Sequence, residues 1–369
     1  MKKFSLHWCA LLLLAVSMAS PTFAQSNSKE WNDLVQKAKG QPLVLGVHAL
    51  EGHADVIKEF QKKFPDIKVQ YSEMSMSTLG PRVVTEQRNG IYAWDVAWGA
   101  TQSLLTVVLP AGGLEPITDY LVLPEVKDFS NWELGEKYLY ASEKGPYIFI
   151  HSMQAAASIY GNTDVLKDFK ITRPEQLLDP RLKGKMSVRD ATRQGNGAFA
   201  LAGLLQDNGV ELVRKLLTEQ DLLTIENPRQ VTDTIIRGSV AVVIGGYPDV
   251  IYECRQQGAC KNVIDLPIGG EYVLARGVAV FKNAPHKEST KVFLNWLLSK
   301  EGQEVFVREW AKKNGVGASS LRKDVKPDPK HLESVVDYKR VKDYLILGAD
   351  IGDPYIQQVV KIATELKSK

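Results

Sequence analysis

Short apolar runs alternate along the chain with stretches whose apolar residues return every three or four positions. Residues 43–47 (LVLGV) form an apolar run of strand length. Val56, Ile57, Phe60 and Phe64 then recur at helical spacing, and Pro65 closes that helix. Residues 67–71 (IKVQY) read as a second strand, 78–89 as a helix and 94–98 (WDVAW) as a third strand. A helix over 102–109 is stopped by Pro110 and Gly112-Gly113. Strand and helix in regular succession predict a parallel sheet covered by helices.

A second set follows. Residues 147–151 and 158–160 read as strands, and 185–188 as a strand running into the polar stretch from Asp190 to Gly197. The next helix carries Phe199, Leu201, Ala202, Leu204 and Leu205. Residues 222–225 form a strand, and Asn227 before Pro228 suits an N-cap followed by proline at the first helical position. The run 240–244 (VAVVI) is a buried strand ending in Gly245-Gly246-Tyr247, and 273–281 is a longer one. Helices are expected near 286–298 and 300–311, and an amphipathic one near 355–367. The fold class expected is α/β in two lobes, each a mixed sheet flanked by helices, with hinge strands between them. Residues 25–120 are assigned to the first lobe with 273–310 returning to it, 121–272 to the second, and 311–369 to a helical segment packed on both. No Gly/Ser/Pro-rich linker divides two halves, so more than one crossing between lobes is expected.

Composition narrows the function classes. At 369 residues the chain exceeds one ordinary domain and suits two. Apolar residues at 44% and charged residues at 24% are those of a globular chain, which excludes disordered, collagen-like and polytopic membrane classes. The 46 Lys+Arg against 43 Asp+Glu leave a net charge of +3, too even for a nucleic-acid-binding surface. Residues 1–24 read as a secretory signal peptide: Lys2 and Lys3, an apolar core over 8–16 too short to span a bilayer, and small residues at Thr22 and Ala24, with cleavage expected after Ala24. Cleavage would leave an exported, soluble protein. In an oxidising compartment Cys254 and Cys260, the two cysteines left, read as a disulfide joining the end of a helix to the loop after it. A metal pair is the other reading, without a His or third Cys nearby.

Ligands of open α/β sheets collect at the carboxyl ends of strands, beside helix starts. The residues following each predicted strand are therefore candidates: His53 after the first, Ser75 and Ser77 after the second, Trp98 and Thr101 at the end of the third. In the second lobe they are Arg193, Asn196, Gly197, Asn227 and Tyr247. Helix starts offer unpaired N–H groups and the positive end of the dipole, which suits an anion. Arg193 would add a bidentate clamp, and Trp98 and Tyr247 flat walls. Each has a plainer role open to it: Asn227 and Thr78 as helix caps, Gly195 and Gly197 as turn residues, Trp98 as core, His53 as a surface residue. Catalytic motifs are missing: no GxSxG, P-loop, HExxH or CxxC occurs, and the six histidines are scattered. A carboxylate pair such as Glu51 and Asp190 remains open. No cofactor is expected.

Five segments carry a family resemblance: LVLGVHALEGHADVIKEFQKKFPDIKVQY, WDVAWGATQSLLTVVLPAGGLEPI, LLDPRLKGKMSVRDATRQGNGAFA, RGSVAVVIGGYPDVIYECRQQG and WLLSKEGQEVF. Together they resemble the periplasmic solute-binding proteins of ABC importers, in the ferric-ion and small-solute subgroup, over roughly residues 40–320. The resemblance implies a type II periplasmic-binding fold, a small-molecule solute and a permease partner. It implies a ferric-ion ligand set only in part: His53 and Tyr247 match, but Ala100 stands where a Glu is expected and Pro248 where a second Tyr is. Ferric ion needs hard anionic oxygens, so the resemblance implies an anion seat kept at Asn196, Gly197 and Asn227 and the metal site lost. Capture of a small organic anion bearing phosphate, phosphonate or carboxylate is the function expected. A ferric-ion carrier, or a secreted enzyme or sensor accessory on the same fold, are the alternatives.

Overall fold

A computed structural model describes residues 22–48, 52–156, 158–314, 317–330, 332, 335–350 and 353–368. The first described element is α1 (Thr22–Ala38), so the expected cleavage point after Ala24 falls in its first turn, while the basic start and apolar core of the expected leader lie outside the described residues. Three parallel strands follow, β1 (Pro42–His48), β2 (Lys68–Met74) and β3 (Val96–Ala100), in the spatial order β3-β1-β2. Leu43, Leu45 and Val47 of β1 are fully buried, as a central strand covered on both faces requires. Helix α2 (His53–Lys63) buries Val56, Ile57 and Phe60, and α3 (Met76–Arg88) buries Leu79 and Val83. The helix expected over 102–109 forms over 102–108, widened at Leu104–Val108. Strand β4 (Leu114–Glu115) and two short helices, α4 (Pro124–Lys127) and α5 (Glu136–Leu139), lead into β5 (Ile148–Ala156).

The second sheet then forms from β6 (Ile159–Asn162), β7 (Met186–Arg189), β8 (Leu223–Ile225), β9 (Val242–Ile244) and β10 (Val263–Asp265), in the order β10-β6-β9-β7-β8. Its helices are α6 (Thr163–Leu166), α7 (Asn196–Asn208), α8 (Val210–Glu219), α9 (Pro228–Ile236) and α10 (Pro248–Gln256). Strand β11 (Tyr272–Phe281) returns to the first sheet, where it pairs with both β5 and β3. Helices α11 (Lys287–Leu298) and α12 (Lys300–Asn314), then β12 (Ser319–Ser320) and β13 (Leu345–Leu347), complete that lobe. Finally α13 (Asp353–Lys367) crosses again and packs on α7 and α8.

Strand β5 lies beyond the lobe boundary expected at residue 121, yet it pairs in the first sheet. The chain stays with the first sheet to Ala156, because β5 pairs along its length with β11, more than a hundred residues away in sequence. A non-local antiparallel pairing leaves no trace in local periodicity. The tail divides as well: β12 pairs in the first sheet, and α13 belongs to the second lobe.

Cys254, in the last turn of α10, is bonded to Cys260 in the loop before β10, with Cα atoms 5.8 Å apart. So short a ring restricts the unfolded chain modestly. The Cys254→Ser/Cys260→Ser variant is expected to lose about 2 kcal/mol of unfolding free energy, read from urea midpoints. An unchanged midpoint would show the staple to be energetically idle.

Candidate functional site

The register of the crossing strands locates the site. Tyr272, the first residue of β11, stands opposite Ala156, the last of β5, so both crossings leave the first sheet at one end. Ala100, the last residue of β3, lies opposite Arg276 near that same end. Because β1 and β2 run parallel to β3, their carboxyl ends point the same way. In the second lobe Ile159, the first residue of β6, pairs with Ile244, the last of β9. With β7 and β8 parallel to β9, those carboxyl ends also face the crossings. The two carboxyl edges therefore meet at the hinge, where ligands of such sheets bind. Ser158 pins this corner: its hydroxyl donates to the Gly270 carbonyl at 2.6 Å, and its own carbonyl accepts the Gly245 N–H at 2.7 Å.

The second-lobe edge is a row of three helix starts. Strands β9, β7 and β8 lie side by side and feed α10, α7 and α9. Gly195 precedes α7 and has no side chain with which to cap its first turn. Gly197 is buried so tightly that a Cβ there would lie 2.0 Å from the Arg189 carbonyl oxygen. Gly245, at φ +80, brings the end of β9 against the same turn, where its own Cβ would meet Gly197 Cα at 2.6 Å. The glycine at 197 thus serves close packing of helix start on strand, a stronger demand than the turn expected of it. Asn196 Nδ2 donates to the Gly246 carbonyl at 3.2 Å and links two of the three starts. Arg193 Nη2 donates to Glu226 at 3.0 Å across the gap to the third, with both side chains about two-thirds exposed. Asn227 caps α9, its Oδ1 accepting from the N–H groups of Arg229 at 2.9 Å and Gln230 at 3.0 Å. Tyr247 precedes α10; its N–H donates to Thr232 Oγ1 at 2.9 Å and its ring is exposed.

Beneath this edge Asp190 is buried and accepts from Lys367 Nζ at 2.8 Å and from the Thr192 N–H at 2.8 Å. Burial works to raise its carboxyl, but the Lys367 ammonium and the Thr192 contacts outweigh burial and hold it at about 2. Asp190 is thus a tie between the loop after β7 and the end of α13. Glu51, suggested as its partner, lies outside the described residues.

On the first-lobe edge, Ser75 caps α3 and its Oγ lies 2.9 Å from Ser77 Oγ and 2.8 Å from Thr78 Oγ1, a compact group of exposed hydroxyls. Three other candidates are buried inside the lobe. Trp98 is fully buried, its indole N–H donating to His151 Nε2 at 2.9 Å and its ring among Phe293, Phe306 and His53. His53 is buried too, with Nδ1–H donated to the His48 carbonyl at 3.0 Å and its ring 4.3 Å from that of Trp98. Thr101 donates its hydroxyl to the Gly348 carbonyl at 2.6 Å and so ties the end of β3 to the segment after β13.

Two arginines escaped the sequence reading. Arg276, inside the apolar strand β11, is buried over the Trp310 ring at 4.4 Å. Arg189 is the last residue of β7, one position past the expected strand end, and its guanidinium lies against Gly195. An arginine closing an apolar strand just before a Gly-containing polar loop was the available signal for it.

Residues 55–333 match the family model of the bacterial extracellular solute-binding proteins. The chain belongs to that family, one of binding proteins rather than enzymes. A curated protein of Haemophilus influenzae, described as uncharacterized, is 27% identical over 260 residues, or 67% of this chain and 70% of that one. Among solved structures, iron-bound HitA of Pseudomonas aeruginosa aligns with a TM-score of 0.62 at 17% identity, over 88% of this chain and 99% of HitA. The periplasmic binding protein AfuA of Actinobacillus pleuropneumoniae, with fructose-6-phosphate bound, aligns with a TM-score of 0.56 at 21% identity, over 88% and 99%. At these identities the likeness carries the fold, that of two-lobed type II periplasmic binding proteins.

Proposed function

We propose that the protein is the solute-capturing component of an ABC importer in the periplasm, and that its solute is a small organic anion bearing phosphate, phosphonate or carboxylate. The observation that carries this is the row of three helix starts, with the Arg189 guanidinium against the loop before α7, at the edge of the second sheet that faces the hinge. Backbone N–H groups and helix dipoles there favour negative charge without raising the net charge of the chain. The hydroxyls of Ser75, Ser77 and Thr78 supply donors and acceptors from the first lobe. Closure about the crossings would bury the solute and present a closed form to the permease, driven by the solute's tighter binding to that form. The proposed carrier acts as a monomer and uses no cofactor.

The test is a thermal-shift panel of phosphorylated sugars, phosphonates, dicarboxylates, polyamines and ferric ion. A true solute at ~100 times its Kd adds about 2.7 kcal/mol and raises the melting temperature visibly. Stabilisation by an anionic class is the expected result. Stabilisation by ferric ion alone, with colour from a tyrosinate–iron band, would replace this function with metal carriage.

A further inference from the structure

We infer that Arg189, and not Arg193, is the side chain that meets the negative charge of the solute; this rests on the organic-anion function proposed above. Arg193 already spends its charge on Glu226 at 3.0 Å. Arg189 differs from every other shielded arginine described. Arg214, Arg255 and Arg322 each pair with a carboxylate, and Arg276 stacks on Trp310. No described carboxylate lies within ion-pair reach of Arg189, although it is partly withdrawn from solvent. A guanidinium that has lost water without gaining an anion is an unfavourable arrangement on its own.

Its position gives that arrangement a use. The Arg189 guanidinium packs against Gly195 so closely that a Cβ at 195 would meet Nη1 at 2.6 Å, and the Arg189 carbonyl packs still more closely on Gly197. Two glycines therefore bracket the arginine and hold its fork beside the uncapped first turn of α7. Asp190, the nearest carboxylate in sequence, is committed to Lys367 and Thr192. The fork is thus left cationic and pre-positioned, so an entering oxyanion is gripped by the guanidinium on one side and helix N–H groups on the other. Arg189 would then set the requirement for a charged solute, and the first lobe would sort solutes by what the charge is attached to.

The experiment titrates inorganic phosphate and succinate into the purified protein and into Arg189→Gln, Arg189→Lys and Arg193→Gln, following binding calorimetrically. For whichever anion binds, Arg189→Gln is expected to lose on the order of 100-fold in affinity, and Arg189→Lys an intermediate amount because it keeps charge without the fork. Arg193→Gln should stay within about threefold, as expected of an exposed ion pair. The anion-free melting temperature of Arg189→Gln should stay close to the parent, since no described carboxylate pairs with the side chain. Equal affinity in the parent and Arg189→Gln, or a larger loss in Arg193→Gln, overturns the role of Arg189 and leaves the anion function standing. Failure of the parent to bind either anion overturns the seat itself, and the role of Arg189 with it.

Discussion

Gly197→Ala is expected to destabilise the protein by about 2–3 kcal/mol and to weaken anion binding by about 100-fold. The added methyl would fall 2.0 Å from the carbonyl oxygen and 2.8 Å from the carbonyl carbon of Arg189. Both are backbone atoms of β7, which is paired on one side with β8 and on the other with β9. A strand held on both sides cannot retreat, so the helix must move. Helix α7 is itself held by α13 and α8, and its residues Ala198, Ala200 and Leu201 are fully buried. A shift that relieves the clash therefore lifts the first turn away from Arg189 and strains the packing behind it. Urea unfolding reads the first effect and titration with phosphate or succinate the second. A destabilised variant that binds with parental affinity would place the anion elsewhere on the edge; an unchanged midpoint would mean that the helix start tolerates the methyl group.

Trp98→Ala should be the costlier change for stability, about 3–5 kcal/mol, as for other buried tryptophans cut to alanine. The ring is fully buried and touches elements from three parts of the chain: His53 at the start of α2, Phe293 of α11 and Phe306 of α12. Truncation also strips His151 Nε2 of its indole partner in a site closed to water. Trp98→Phe keeps most of the ring volume and should lose considerably less. If the folded fraction of either variant binds its anion within about threefold of the parent, Trp98 is core alone. A selective loss of affinity with little loss of stability would return it to the wall of the cleft.

Much of the fold was legible in the chain because it was written in local pattern. The run at 43–47 and the spacing of Val56, Ile57 and Phe60 became β1 and the buried face of α2. Asn227 ahead of Pro228 became a capped helix start. The cysteines, close in sequence, became a bond. What local pattern did not carry was the burial of side chains at strand ends. Trp98 and Thr101 stand where a ligand residue would stand, yet the sheet turns one into an aromatic core and spends the other on a distant carbonyl.

The sequence by itself determined the two α/β lobes, the order of their elements and the polar, glycine-containing helix starts, since each depends on neighbours only a few residues apart. Tertiary structure alone decided which strands carry the chain across. It also decided that β7, β8 and β9 bring three helix starts to one edge, and that Arg193 pairs with Glu226 while no described carboxylate pairs with Arg189. The physical reason is the same in each case. Strand pairing and ion pairing are settled by competition among groups far apart in the chain, and their outcome has no local signature.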